Sequence, residues 1–294
     1  MRYVNPKNDV AFKKIFGDKN DPQIVMSFIN AVMGLEGERR ITSIEILSPL
    51  QAPQIEGLKM TTLDVRAKDA SGKSFIVEMQ ANAEDAFEKR SLFYTSQAYV
   101  GQLSVGNRYA DLQPVYFIGI LDFNLFEGTD YLTRHLLLES KTYKHYLSDF
   151  ELYFIELKKF RKPLEDLSTI LEKWIYFMQH AVEFEEPPDA LQREAEIARA
   201  LEIAARYRWT RDELEAYQYW EFERLNALVM EEENTALKAE LAANKEELAA
   251  NKQELERRTV QSVKALSKAG LANADIATTL QISEDDVRRL LSEA

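Results

Sequence analysis

The 294-residue chain contains no cysteine. Disulfides, thiolate metal sites and cysteine nucleophiles are therefore excluded, and the composition suits a reducing cytosol. Proline and glycine are sparse, at 8 and 10 residues, so the bulk of the chain should be globular rather than disordered. Gly-rich phosphate loops are absent. No apolar run approaches the roughly 20 residues that span a bilayer. The longest, near Val115–Leu121, reads as a buried strand. The opening residues, Met1 to Asp9, are polar and lack a signal-peptide core. The expected setting is cytoplasmic, with no membrane partner. Histidine is scarce too. His135, His145 and His180 show no metal-ligand spacing on one helix, fall in a region read as helical or loop-rich, and are assigned no role.

What is present points elsewhere. Apolar residues make up 46% of the chain, enough for a full core and about two domains. A net charge of −12 argues against a nucleic-acid partner until its distribution is considered. Residues 1–162 hold 21 Lys/Arg and 21 Asp/Glu, whereas residues 163–294 hold 16 and 28. The acidity belongs to the C-terminal part, and the neutral N-terminal part is free to turn a basic face to phosphates.

Periodicity divides the chain. Apolar residues from Val10 to Met33 recur mostly at helical spacing, which predicts two short helices broken at Gly17–Asp21, with Asp21-Pro22 as the second start. Strands follow at Ile41–Leu47, Thr61–Asp69 and Ser74–Gln80, then a helix from Glu84 to about Leu103. Val115–Phe123 and Phe150–Leu157 read as further strands. This order predicts an α/β fold, a mixed sheet with helices packed on it.

From Pro163 onward the pattern is helical, with Leu164–Phe184 as one helix, a break at Glu183–Asp189, and Ala190–Arg258 largely helical but interrupted near Trp209-Thr210. The expected divisions are 1–162, a helical region 163–224, a long helix 225–258, and a small module 259–294. Trp174, Trp209 and Trp220 lie in helical stretches and read as core or interface. A seven-residue near-repeat, Glu240–Glu246 then Glu247–Gln253, puts Leu241, Leu248 and Leu255 on one stripe with Leu237 before it. A short coiled coil and a solvated spacer helix both fit. Val260–Lys268, Asn273–Leu280 and Ser283–Leu291 form a helix-turn-helix-like end, with Ser283 a good N-cap. Glu284, Asp285 and Asp286 open its last helix. Those carboxylates suit the helix dipole but repel DNA. Packing or self-association is the expected use, and a transcription regulator is disfavoured.

The chemistry concentrates in Thr61–Gln80. A hairpin centred on Ser71 pairs Asp69 with Lys73 and sets Asp64 opposite Glu78. Leu63, Val65 and Ala67 then share an apolar face with Phe75, Val77 and Met79, and the other face carries Asp64, Arg66, Glu78 and Gln80. Two facing carboxylates repel. A divalent cation relieves that cost, since Mg²⁺ is commonly held by one or two carboxylates plus water and substrate phosphate. The Met79 carbonyl is a further candidate ligand. Gln80 can orient a water but cannot act as a general base. On spacing alone, a metal site and a wet polar face, its acids neutralised by Arg66 and Lys68, both stand.

A strand Asp, a hairpin, and Glu-X-Gln on the next strand resembles the PD-(D/E)XK nucleases. Asn8-Asp-Val-Ala-Phe-Lys-Lys-Ile-Phe16, and Glu88-Lys-Arg-Ser-Leu-Phe-Tyr94 with Gln97 and Tyr99, narrow this. Together they are similar to the Rpn recombination-promoting nucleases, also described as PD-(D/E)XK nuclease family transposases, over roughly residues 3–160. The resemblance implies a restriction-endonuclease-like fold and a Mg²⁺-dependent DNA endonuclease of low sequence specificity, linked to recombination or transposition, with Mn²⁺ or Ca²⁺ as alternative ions. Asp64 and Glu78 match the metal ligands. Gln80 matches a position that is Lys in the wider superfamily, a departure that bears on water activation. Asp9 matches the N-terminal motif and either reaches the metal or caps a helix. Lys13 and Lys14 are candidates for phosphate contact, and Arg90 and Tyr94, one helical turn apart, for lining the site. A homodimer through the C-terminal helices is expected. The rival reading is an inactive nuclease fold kept as a scaffold or DNA-associated binding protein.

Overall fold

The computed structural model describes residues 2–51, 61–83, 86–104 and 106–292. Two compact units divide the chain, Met1–Ala227 and Leu228–Ala294. In the first, two helices open the chain, α1 (Asp9–Phe16) and α2 (Gln23–Met33). Strands β1 (Ile44–Ile46), β2 (Leu50–Gln51), β3 (Thr61–Thr62), β4 (Val65–Asp69) and β5 (Ser74–Gln80) follow. Helix α3 (Phe87–Val100) precedes β6 (Val115–Leu121), β7 (Leu132–Leu137) and β8 (Leu147–Glu156). The expected helix start at Glu84 lies outside the described residues.

Six strands form one mixed sheet in the order β1-β4-β5-β6-β8-β7, and β2 pairs with β3 separately. The β4–β5 hairpin is antiparallel, whereas β5, β6 and β8 run parallel. A parallel neighbour requires a crossover, and α3 supplies it between β5 and β6. Gly72, at φ +93°, closes the hairpin.

Alternation along the central strands sorts side chains onto two cores. Phe75, Val77, Met79, Ile118, Ile120, Tyr153 and Ile155 join α1 and α2 on one face. Ile76, Val115, Phe117, Leu121, Leu152 and Phe154 join Phe87 of α3 on the other. Burial on both faces is why Val115–Leu121 reads as a continuous apolar run.

Several expectations are corrected. The hairpin's second face is not wholly polar, because Ile76 is buried beneath α3. Leu63 belongs to that second core and not with Val65, because the chain bends at Leu63-Asp64 between β3 and β4. His135 lies on β7, an edge strand absent from the sequence reading, whose polar run Thr133–His135 breaks the alternation that would reveal it. Asp21 does not cap α2, whose N-cap position is Pro22 and carries no side-chain cap, and pairs with Arg199 instead.

The stretch expected as one helix from Leu164 is a 3₁₀ turn followed by α4 (Ile170–His180). Thr169 and Glu172 form a capping box there that fixes the later start. Then come α5 (Asp189–Gln192), α6 (Ala195–Ala204) and α7 (Arg211–Lys268), with the expected interruption before Arg211. Trp174 and Ala200 are buried in the same core as Phe12 and Phe28, so these helices cover the first face of the sheet.

The second unit holds the remainder of α7 with α8 (Asn273–Leu280) and α9 (Glu284–Ser292). Val263, Ile276, Ala277 and Val287 form its core. Ser283 caps α9, its hydroxyl accepting the Asp286 N–H at 3.0 Å. Arg288 and Arg289 pair with Glu284, Asp285 and Asp286 of the same helix. Among the described residues no helix is long and apolar enough to cross a membrane.

Candidate active site

Asp64 sits at the bend that leads into β4, and Glu78 lies within β5. The register, Val65 with Val77 and Ala67 with Phe75, carries on to set the two acids opposite one another, as the hairpin spacing predicts. Each carboxylate is tied to the other's strand. Asp64 Oδ2 accepts the Met79 N–H at 2.8 Å, and Glu78 Oε1 accepts the Asp64 N–H at 2.9 Å. Glu78 is buried, and the Asp64 side chain is only 10% exposed. Burial raises the Asp64 pKa to about 6, despite the nearby Lys13 charge and the Met79 N–H. Burial, then the charge of Asp64, pushes Glu78 well above its ordinary value.

A cation already stands at the edge of this pair. Lys13 lies one turn after Asp9 on α1, and its ammonium is 2.7 Å from Asp9 Oδ1 and 3.3 Å from Asp64 Oδ1. Burial works against the ammonium, but Asp64 and Asp9 outweigh it and raise the Lys13 pKa.

Asn8 fixes the pose of α1. It is fully buried, and its Oδ1 accepts the Val10 and Ala11 N–H groups at 3.0 and 3.3 Å. The α1 cap is therefore Asn8, and Asp9 pairs with Lys13 instead of capping. The Asn8 Nδ2 donates to the Tyr217 carbonyl and to Glu221 Oε1 at 3.2 and 3.1 Å, which binds α1 to the start of α7.

The result is a cleft of about 470 Å³. Asp9, Asp64, Glu78, Met79 and Gln80 line one side, Arg90 and Tyr94 of α3 line another, and Trp220, Glu223, Arg224 and Ala227 of α7 close it. Gln80 accepts a hydrogen bond from Arg90 Nη2 at 2.5 Å and donates to the Asn82 carbonyl at 3.2 Å. Arg90 also lies over the rings of Phe87 and Tyr94.

Two of the sequence candidates do not join this group. Arg66 turns its guanidinium to the Ser48 and Leu50 carbonyls at 3.1 and 2.9 Å and lines a separate cleft. Lys14 pairs with Glu213 and lies over the Trp209 ring, so it anchors α7. Conversely, Trp220, read as core or interface, is only partly buried and lines the cleft. Asn8 was legible as the polar residue before an amphipathic helix. The α7 residues carry no local signal, being more than 200 positions from α1.

The donor set fits a hard divalent cation. It offers carboxylate oxygens without histidine or cysteine, and the two acids are buried, opposed and reluctant to ionise together. Among the described residues no three acidic or histidine side chains cluster closely enough to hold a metal unaided. A cation here would rest on Asp64 and Glu78, with main-chain, water and substrate oxygens completing its shell.

A family model described as PD-(D/E)XK nuclease family transposase matches residues 6–228. The match takes in α1, the whole hairpin and the first turns of α7, so it covers every wall of the cleft. Comparison with the curated proteins and with the solved structures finds no match.

Proposed function

Because the chain belongs to the PD-(D/E)XK nuclease family transposases, we propose that it is a Mg²⁺-dependent DNA endonuclease of the Rpn type, with low sequence specificity, acting in recombination or transposition in the cytoplasm. One observation carries this reading: two opposed and largely buried carboxylates, with Asp64 held by the Met79 N–H and Glu78 by the Asp64 N–H. The mutual repulsion of that pair is a cost without a ligand. Bound there, Mg²⁺ supplies Lewis-acid stabilisation of the phosphate and a lowered pKa for the attacking water. Mn²⁺ or Ca²⁺ suits the same donors.

The chain's own groups divide the remaining work. Asp64, Glu78 and the Met79 carbonyl hold the cation. Gln80, oriented by Arg90, positions the water but cannot take its proton. Lys13 brings to the carboxylates the positive charge that position 80 lacks, and its ammonium is available to a phosphate oxygen once a metal shares Asp64. Arg90 and Tyr94 line the path of the strand. Leu237, Leu241, Leu248 and Leu255 are exposed on α7 at heptad spacing, which supports a homodimer through a short coiled coil.

The experiment is plasmid nicking by the full chain with Mg²⁺, with EDTA, and with Asp64→Ala. Nicking that needs metal and disappears in the variant is expected. The second reading is an inactive nuclease-fold scaffold or DNA-associated protein. It is favoured by Gln80 standing where Lys is usual and by Lys13 already serving Asp64 as counter-ion. A folded wild type that leaves DNA intact across Mg²⁺, Mn²⁺ and Ca²⁺ selects it.

A further inference from the structure

The α7 wall of the cleft has no part in holding a metal, yet its composition is specific. Trp220, Glu223, Arg224 and Ala227 all face the cleft, and their spacing of three, four and seven is one stripe of a helix. The stripe is firmly placed. Asn8 bonds to the Tyr217 carbonyl and Glu221, the Tyr217 hydroxyl accepts the Asn5 N–H at 3.1 Å, and Lys14 pairs with Glu213. Trp220 is only partly buried, so its indole is presented to the cleft and is not consumed by the core. Arg224 is 19% exposed. Its Nη2 donates to Glu221 at 3.2 Å, while its buried Nε has no acceptor among the described residues.

We infer that this stripe holds one unstacked nucleotide of the DNA strand, with its base against Trp220 and its phosphate at Arg224. The inference deepens the nuclease reading and rests on it. Three features favour this occupant. A cleft of about 470 Å³ lies in the roughly 300–1,000 Å³ range of pockets that bury one small molecule, which suits a single nucleotide and not a duplex. An indole offers a face to any base, so stacking is sequence-tolerant and agrees with low specificity. An arginine one helical turn away supplies the planar donor fork that phosphate takes. Glu223 on the same stripe opposes the phosphate and confines it to the Arg224 side. Trp220 and Arg224 are thus substrate-binding residues in the same cleft as Asp64 and Glu78, which brings the held nucleotide beside the carboxylates.

The test uses the full chain as wild type, Trp220→Ala, Trp220→Phe and Arg224→Ala. Binding of a fluorescent single-stranded oligonucleotide and of its duplex is followed by anisotropy in EDTA, so that no strand is cut, and Mg²⁺-dependent nicking is measured in parallel. Trp220→Ala is expected to weaken single-strand binding by about tenfold, with Trp220→Phe close to wild type, as stacking on an aromatic face requires. Arg224→Ala is expected to weaken it by about tenfold and to lower the salt slope by about one. Nicking at saturating DNA should change far less than binding, and unfolding temperatures should match wild type. Wild-type nicking with unchanged affinity in Trp220→Ala and Arg224→Ala overturns this inference alone. Equal losses on duplex and single strand overturn the unstacked base. A wild type that neither binds nor nicks DNA overturns the nuclease reading and this inference with it.

Discussion

Two kinds of buried acid occur in the first unit. Glu156 is fully buried, and its carboxylate accepts from Lys159 Nζ at 2.7 Å and from the Leu125 and Phe126 N–H groups at 2.6 and 3.1 Å. Glu172 is likewise buried. Burial works against its charge, but Lys162, Ser168 and Thr169 hold its pKa down to about 2. Asp64 and Glu78 are nearly as deep, with the Asp64 side chain 10% exposed, but they face one another and both are pushed upward. The first kind is complete as it stands and braces a loop or a helix start. The second lacks positive charge, and Lys13 at 3.3 Å from Asp64 only partly supplies it. Depth therefore does not mark a candidate site. An unbalanced pair at the mouth of a cleft does.

Substitution at the two kinds of acid separates them most strongly. Asp64→Ala should lower Mg²⁺-dependent nicking by about 10³-fold or more, as loss of metal-borne charge stabilisation requires, without loss of thermal stability in the metal-free chain, because a carboxylate whose charge burial opposes is removed. Glu156→Ala should do the reverse, because it leaves Lys159 buried and uncompensated. A destabilisation of about 3–5 kcal/mol is expected in denaturant titrations, with turnover of the folded fraction unchanged. Equal stability losses at both positions would break the comparison.

The pH dependence sharpens it. Asp64 binds its proton more tightly in the folded chain, at about 6 against an ordinary value of 3.8. Between those values the folded state holds the extra proton, so metal-free stability should fall as pH rises through that window. The loss from Asp64 is on the order of 3 kcal/mol, and Asp64→Asn should flatten the curve. Glu172, with its pKa lowered, works in the opposite sense, and its contribution is lost only as pH falls towards about 2.

How much of this was legible in the sequence depends on range. The hairpin register was readable because Ala70–Lys73 is a short turn between alternating strands, so Asp64 and Glu78 could be opposed without a structure. Val115–Leu121 was readable because two-faced burial leaves an apolar run. Strand β7 was not, since it lies at a sheet edge and its polar run Thr133–His135 breaks the alternation between its leucines. The face taken by Leu63 was hidden by a bend that spacing does not reveal. The roles of Lys13 and Lys14 were indistinguishable by type, and only the packing of α1 against α7 turns Lys13 to Asp64 and Lys14 to Glu213. Trp220 and Arg224 were the least legible, because a Trp in a helical stretch reads as core or interface and nothing local ties either residue to Asp64 and Glu78.

Lys13 tests the partial balance directly. Lys13→Met should lower turnover by roughly 10²-fold, the scale of one lost charge-stabilising donor, while saturation with Mg²⁺ moves to lower concentration because a competing cation is gone. A lower turnover without the Mg²⁺ shift would make Lys13 a phosphate contact only. The smallest effect is expected outside the first unit. Ser283→Ala removes the α9 cap and should cost about 1 kcal/mol in melting of the C-terminal module, leaving nicking untouched.

The central claim is that the unbalanced pair is a metal site, and calorimetric titration of Mn²⁺ into the metal-free full chain tests it most directly. One bound ion per chain in the wild type, lost in Asp64→Asn and retained in Glu156→Ala, is the predicted result. A folded wild type that binds no ion, or an Asp64→Asn variant that binds as the wild type does, would contradict it.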